Sequence, residues 1–267
     1  MSNIRIHPSE LSYLFSFSKT EAVVGWGAAP FQPESKADLP TWNGAGAKRL
    51  LDAGRLIPRE DGSGSDVTPV ITAAVLALAN PSLVLLAERK EGDGLRRLTI
   101  HRGEDGIWGM TRMPDGMFEM VLYADLTAAA VAACGFLGAA LSPTEAGTRV
   151  EAAPETFAAI NDLAKAGNTD DAATQLAALG VTPDEAATVV EAMTTPAAAG
   201  RLGVLYCGGN RVRSAVAYSV MTTAAGQTWV LYPPASLRSP MMLEHSSVPA
   251  LAGRIVINGA ARTKIAA

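Results

Sequence analysis

The residues able to do chemistry are few and far apart. Histidine occurs at His7, His101 and His245 only, and none falls in a His-Glu-x-x-His or comparable ligand pattern. His101 lies inside a predicted strand and His245 at a strand end after Glu244, so both are expected to be structural or surface imidazoles. Cys134 and Cys207 stand alone, which excludes a disulfide framework or a zinc knuckle and fits a reducing compartment. Cys207 has no cation or helix start beside it to lower its pKa, so a buried thiol is expected. No metal ligand set and no cofactor site are read from the sequence.

Two glycine-rich stretches imitate functional loops. The run Asn43-Gly44-Ala45-Gly46-Ala47-Lys48-Arg49 has the look of a phosphate loop. It lacks the Gly-Lys-Ser/Thr ending and a strand before it, so Asn43 is read as a helix cap. Gly62-Ser63-Gly64-Ser65 has no strand leading into a nucleophile elbow and is read as a surface linker. Acidic pairs occur at Glu104-Asp105, Asp170-Asp171 and Asp184-Glu185. The last two fall where helices are predicted to begin, where negative charge complements the dipole. Met110, Met113, Met117 and Met120 cluster along one hairpin and are read as sheet core.

The elements that must position these residues form a repeat. Thr68-Pro69 and Thr182-Pro183 each open a segment with apolar residues at i, i+3, i+4 and i+7: Ile71, Ala74, Val75, Leu78 and Ala186, Val189, Val190, Met193. Threonine is expected to cap each helix, proline suits its first turn, and Glu185 is expected to complete a capping box. Pro81 and Pro196 end the two helices. Each is preceded by a helix ending near glycine, at Gly54 and Gly180, and farther upstream Ser9–Phe15 and Pro154–Leu163 read as helical.

Each Thr-Pro helix is followed by four strands. Leu83–Glu88, Leu95–His101, Ile107–Met113 and Met117–Tyr123 are separated by short Gly/Asp turns, which predicts antiparallel pairing. Leu202–Cys207, Val212–Thr222, Thr228–Tyr232 and Met241–His245 repeat the plan, with Trp108 and Trp229 each in the third strand. An Ala/Leu-rich helix closes each set, over Thr127–Gly138 and Val248–Arg254. The expectation is an α+β fold, a pseudo-twofold repeat of helices plus a four-stranded antiparallel meander. It forms a single domain of two halves, 1–145 and 146–267.

The chain's 267 residues are 48% hydrophobic and 18% charged, ample for a buried core. The net charge is −4 and Lys and Arg are scattered, so nucleic acid is not an expected partner. The N-terminal residues do not read as a secretory signal and no run is apolar and long enough to span a membrane, so a cytoplasmic protein is expected. With no catalytic constellation, the expected function is binding a protein partner. The turn Gly103–Gly106 is the expected contact, because two glycines flank two carboxylates that no base neutralises. The competing readings are an enzyme with a site near His101, Arg102 and Glu104, and a homo-oligomer joined through an apolar patch.

Four stretches carry a family resemblance: Ile4-Arg5-Ile6 with Glu10-Leu11; Leu51 with Gly54 and Pro58; Ile100 through Trp108; and Ala178-Leu179-Gly180-Val181-Thr182-Pro183. Their layout resembles the EspG family, cytosolic chaperones of mycobacterial-type ESX (type VII) secretion. The layout covers nearly the whole chain without a sharp motif, and the stretch Leu14–Pro40 departs from the helical start expected of that family. The resemblance implies a quasi-twofold body without enzymatic activity that keeps PE–PPE substrates soluble by binding a hydrophobic tip. It also implies that the loop holding Arg102, Glu104 and Asp105 touches the substrate.

Overall fold

A computed structural model describes residues 3–92, 94–139, 147–234, 236 and 239–263, with side chains through residue 257. In the first half the chain runs β1 (Asn3–Ile6), α1 (Pro8–Ser18), α2 (Leu39–Asp52), β2 (Leu56–Pro58), β3 (Ser65–Val67) and α3 (Pro69–Ala79). It continues with β4 (Leu83–Glu91), β5 (Gly94–Gly103), β6 (Gly106–Arg112), β7 (Phe118–Tyr123) and α4 (Leu126–Phe136). The second half runs β8 (Arg149–Ala152), α5 (Pro154–Lys165), α6 (Thr169–Ala178), α7 (Pro183–Thr194) and β9 (Ala198–Gly208). Then come β10 (Arg211–Thr222), β11 (Thr228–Tyr232), β12 (Met241–Ser246) and α8 (Val248–Thr263).

One antiparallel sheet of ten strands crosses both halves in the order β1-β7-β6-β5-β4-β9-β10-β11-β12-β8. Elements in matching positions of the two halves occupy mirrored places about the β4–β9 seam, where Leu85 pairs with Val204. Trp108 of β6 and Trp229 of β11 hold matching third-strand places. Each expected four-strand meander is widened by a short strand, β1 and β8, that returns to its outer edge.

The sheet is packed on both faces. Helices α1–α3 cover the first half over Trp108, Met110, Phe118 and Met120, so Met110 and Met120 are core as expected, whereas Met113 and Met117 lie beyond the strand ends at the β6–β7 turn and are only half-buried. Helices α5–α7 cover the second half over Trp229 and Leu243. Helices α4 and α8 meet across the opposite face on a shared core of Leu85, Ile100, Val204 and Val230.

Helix starts follow local chemistry, with corrections. Thr182 Oγ1 accepts from the Glu185 N–H at 3.4 Å, but Thr68 makes no side-chain cap bond, and Pro69 alone marks that start. The Glu185 carboxylate is taken by the hydroxyls of Thr182 and Thr148, whose bonds hold its pKa below the usual carboxylate range. A closed capping box forms at α1. There His7 Nδ1 accepts from the Ser9 N–H at 3.1 Å and Glu10 accepts from the His7 N–H at 2.6 Å. Asp170-Asp171 and Asp184-Glu185 occupy the first turns of α6 and α7, as their dipole role requires.

Both glycine stretches are structural. Asn43 lies inside α2 and is not its cap, because Pro40 starts the helix a turn earlier. Gly46 of the same helix lies against α1, where an added Cβ would come within 2.1 Å of the Ser9 carbonyl oxygen. The Gly62–Ser65 run is not a linker but the tip and flank of the β2–β3 hairpin, in which Pro58 pairs with Ser65 and the Arg59 side chain forms an ion pair with Asp66.

Candidate partner-binding face

The β5–β6 turn has the form expected of it. Gly103 pairs with Gly106, so Glu104 and Asp105 are its two loop residues, both exposed and without an ion pair among the described residues. Each glycine has a steric reason. A Cβ on Gly103 would meet the Ala77 backbone of α3 at 2.7 Å, and Gly106 sits at φ +141°. The Arg102 carbonyl accepts from the Ser82 N–H at 2.8 Å, which ties the turn to the start of β4.

The structure does not assemble an active site from His101, Arg102 and Glu104. Adjacent strand residues point to opposite faces. His101 is sealed beneath the α1–α3 layer while Arg102 shares the opposite face with Ile100, and Glu104 projects from the end of the sheet. Trp26 Nε1 donates to Thr99 Oγ1 at 2.7 Å, and the same hydroxyl shares a hydrogen bond with His101 Nε2 at 2.9 Å. Burial lowers the His101 pKa to about 3, so the ring is neutral. Burial also raises Cys134 to about 12 and Cys207 to about 11, far from a reactive thiolate. Among the described residues no group of three or more His, Cys, Asp or Glu could hold a metal ion, and no helix is long and apolar enough to cross a membrane.

The larger feature is an asymmetry between the halves. His101 pairs with Trp108 as Met221 pairs with Trp229, so Thr99 corresponds to Ser219 and Arg97 to Ala217. In the first half, residues 19–38 link α1 to α2 and lie over this row. Gly25 touches Thr99, Arg97 donates to the Gly25 carbonyl at 2.6 Å, and the Arg97 guanidinium lies 5.3 Å from the centre of the Trp26 ring. In the second half, α5 and α6 are joined by residues 166–168 alone. Thr99 is therefore fully buried, whereas Ser219 is half-buried and Ala217 and Ala215 are exposed.

The uncovered surface crosses the seam. Ala217 pairs with Gly203, Gly203 with Leu86 and Leu86 with Thr99, while Ala215 lies opposite Leu205. These are small or aliphatic side chains on one face, half-buried at Leu86, Gly203 and Leu205 and exposed at Ala215 and Ala217. This apolar strip, the trough, adjoins the charged row of Arg97, Glu88 and Arg201. The Gly25–Trp26 turn bounds it on one side, where a Cβ on Gly25 would lie 3.5 Å from the Leu86 side chain. The β5–β6 and β9–β10 turns leave the sheet at the same end, since Leu83 pairs with both Arg102 and Tyr206. Three strand spacings separate β5 from β10, roughly 14 Å. The sequence signals were the extra length between α1 and α2 and the small residues Ser214, Ala215 and Ala217 in a long strand. Neither shows that the two features oppose each other.

Among solved structures the chain is similar to the Mycobacterium tuberculosis type VII secretion system chaperone EspG5, determined in complex with the PE25–PPE41 dimer. The TM-score is 0.67, and the match covers 95% of this chain and 94% of the other. The chain has the EspG5 fold. Sequence identity is 14%, so the likeness resides in topology. No family model matches the sequence, and no curated protein matches it. The α+β architecture and the EspG resemblance both agree with this neighbour across nearly the whole chain.

Proposed function

We propose that this chain is a non-catalytic, cytoplasmic chaperone for a secreted substrate, acting as a single domain of two halves. Its partner is the apolar tip of a PE–PPE-type dimer, and it binds none of the nucleic acids. The observation that supports this reading is the apolar trough of Leu86, Gly203 and Leu205, half-buried, and Ala215 and Ala217, exposed, in a chain sharing the fold of a chaperone solved with such a dimer. An exposed apolar face on a rigid sheet marks an interaction site. Its shallow form suits a broad protein surface and not an enclosed small ligand. At the end of the same sheet Arg102, Glu104 and Asp105 supply charge that orients the partner, which affects association more than affinity.

The reading is tested by co-expressing the chain with PE–PPE pairs of its host and measuring co-purification. Ala217→Arg fills the trough from an exposed position and is expected to abolish capture without altering the melting temperature. Replacing Glu104 and Asp105 by Lys is expected to slow association in a salt-dependent manner and leave folding unchanged. Undiminished capture by Ala217→Arg would refute the assignment of the trough. Equal association rates for the double-Lys variant would remove the turn from the site.

A further inference from the structure

The first half of the sheet holds a filled counterpart of a row left open in the second. Met110 of β6 pairs with Thr99 and Met120, as Leu231 of β11 pairs with Ser219 and Leu243. Phe118 pairs with Ile6 of β1, as Met241 pairs with Ala152 of β8. Thr99, His101, Met110 and Phe118 therefore correspond to Ser219, Met221, Leu231 and Met241. The first set is fully buried, whereas every member of the second is half-buried.

Residues 19–38 supply the missing cover in the first half. The Trp26 ring meets Phe118 edge-on at 5.2 Å, Phe31 lies 5.2 Å from the same ring, and the indole N–H donates to Thr99 Oγ1 at 2.7 Å. A Cβ on Gly25 would lie 2.8 Å from the Thr99 methyl, so glycine is what brings this turn down onto the strand. Residues 166–168, which join α5 to α6, are too few to do the same.

The open row keeps the chemistry that Trp26 uses. Ser219 presents a hydroxyl where Thr99 does, and among the described residues it has no hydrogen-bond partner. The Thr99 hydroxyl is shared with His101, but the place of His101 is taken by apolar Met221, which leaves Ser219 Oγ uncommitted. Ala217 stands in the place of Arg97 and leaves the space above the strand clear. Met221, Leu231 and Met241 form the apolar side, and thioethers pack well against aromatic rings.

We propose that this row is a specificity site for an aromatic ring carrying a hydrogen donor on its rim, a tryptophan or tyrosine presented on a turn of the protein partner. The ring packs against Met221 and Met241, and its N–H or O–H donates to Ser219 Oγ, as Trp26 donates to Thr99 within the chain. The inference rests on the reading that the open face takes the substrate, and it adds a polar requirement that an apolar trough does not impose. A site built to accept a donor discriminates against a ring without one.

A double-mutant cycle tests the proposal, with PE–PPE pairs of the host as the probe. Dissociation constants are measured for wild type, Ser219→Ala and Ser219→Thr, against native pairs and against pairs in which each tip tryptophan or tyrosine is replaced in turn by phenylalanine. Ser219→Ala is expected to weaken binding roughly three- to tenfold at an unchanged melting temperature. Ser219→Thr is expected to bind as wild type does, since threonine fills this place in the first half. One phenylalanine replacement is expected to cost the same factor against wild type and nothing further against Ser219→Ala, as a single shared hydrogen bond requires. Equal affinities for wild type and Ser219→Ala, or no ring coupled to Ser219, would overturn the inference, and loss of capture by Ala217→Arg would then leave the trough standing. No binding of any PE–PPE pair by wild type would overturn both.

Discussion

Gly44 and Gly46 stand two residues apart in α2, and the structure predicts that alanine acts in opposite directions at the two positions. At Gly44 an added Cβ has nothing within 4 Å, so only the backbone term changes. Alanine is favoured over glycine in a helix by about 0.5–1 kcal/mol, and Gly44→Ala should stabilise by that amount. At Gly46 the same gain is opposed by the α1 backbone, with the Ser9 carbonyl oxygen at 2.1 Å and its carbon at 2.5 Å. These are main-chain atoms of a helix held by its own capping box, so the clash is relieved only by moving one helix away from the other. Overpacking of this kind costs about 1–3 kcal/mol and more where backbone must shift, so a net loss of about 2 kcal/mol is expected. For a chain of this size 1 kcal/mol moves the melting temperature by about 2–4 °C. Calorimetry should therefore place Gly44→Ala a few degrees above wild type and Gly46→Ala about 4–8 °C below it. A Gly46→Ala protein as stable as wild type would refute the close crossing of α1 and α2.

Val75→Asp and Val190→Asp should be similarly damaging, since both residues are buried at matching positions of α3 and α7. Each introduces an unpaired carboxylate, at a cost of several kcal/mol read from urea midpoints, and a wild-type midpoint for either would place that helix face in solvent. His101 should make folding acid-sensitive. Its folded pKa is depressed to about 3, so the unfolded chain binds the extra proton and stability is complete above pH 6.5 but falls as pH drops toward 3. Over that window wild type should lose up to about 1.4 kcal/mol per pH unit more than His101→Asn, and parallel pH profiles would contradict the sealed neutral imidazole.

Much of the fold was legible because its signals are local. Thr-Pro starts, proline stops and Gly/Asp turns are set within a few residues, and β11 runs over Thr228–Tyr232 as its apolar run indicates. The repeat was legible for the same reason, since both halves carry the same punctuation. Signals that compete locally were misread. Pro40 outweighs Asn43 as a helix start, and Thr68 has the residue type of a cap without forming its bond. Placing Glu104 and Asp105 in an exposed two-residue turn required only the flanking glycines.

The rest depended on partners distant along the chain. Strands β1 and β8 have four residues each, too few to show a period, and Asn3 acquires its strand by pairing with Val121. The glycine at position 46 reads as a loop residue until Ser9 of another helix is seen against it. The sequence alone determined two similar halves and the absence of a catalytic pattern. Only the tertiary structure decided which face stays open. The segment containing Trp26 folds over Thr99 in one half, while a three-residue connection leaves Ala217 bare in the other, and burial is a property of what lies across from a residue, not of the residue itself.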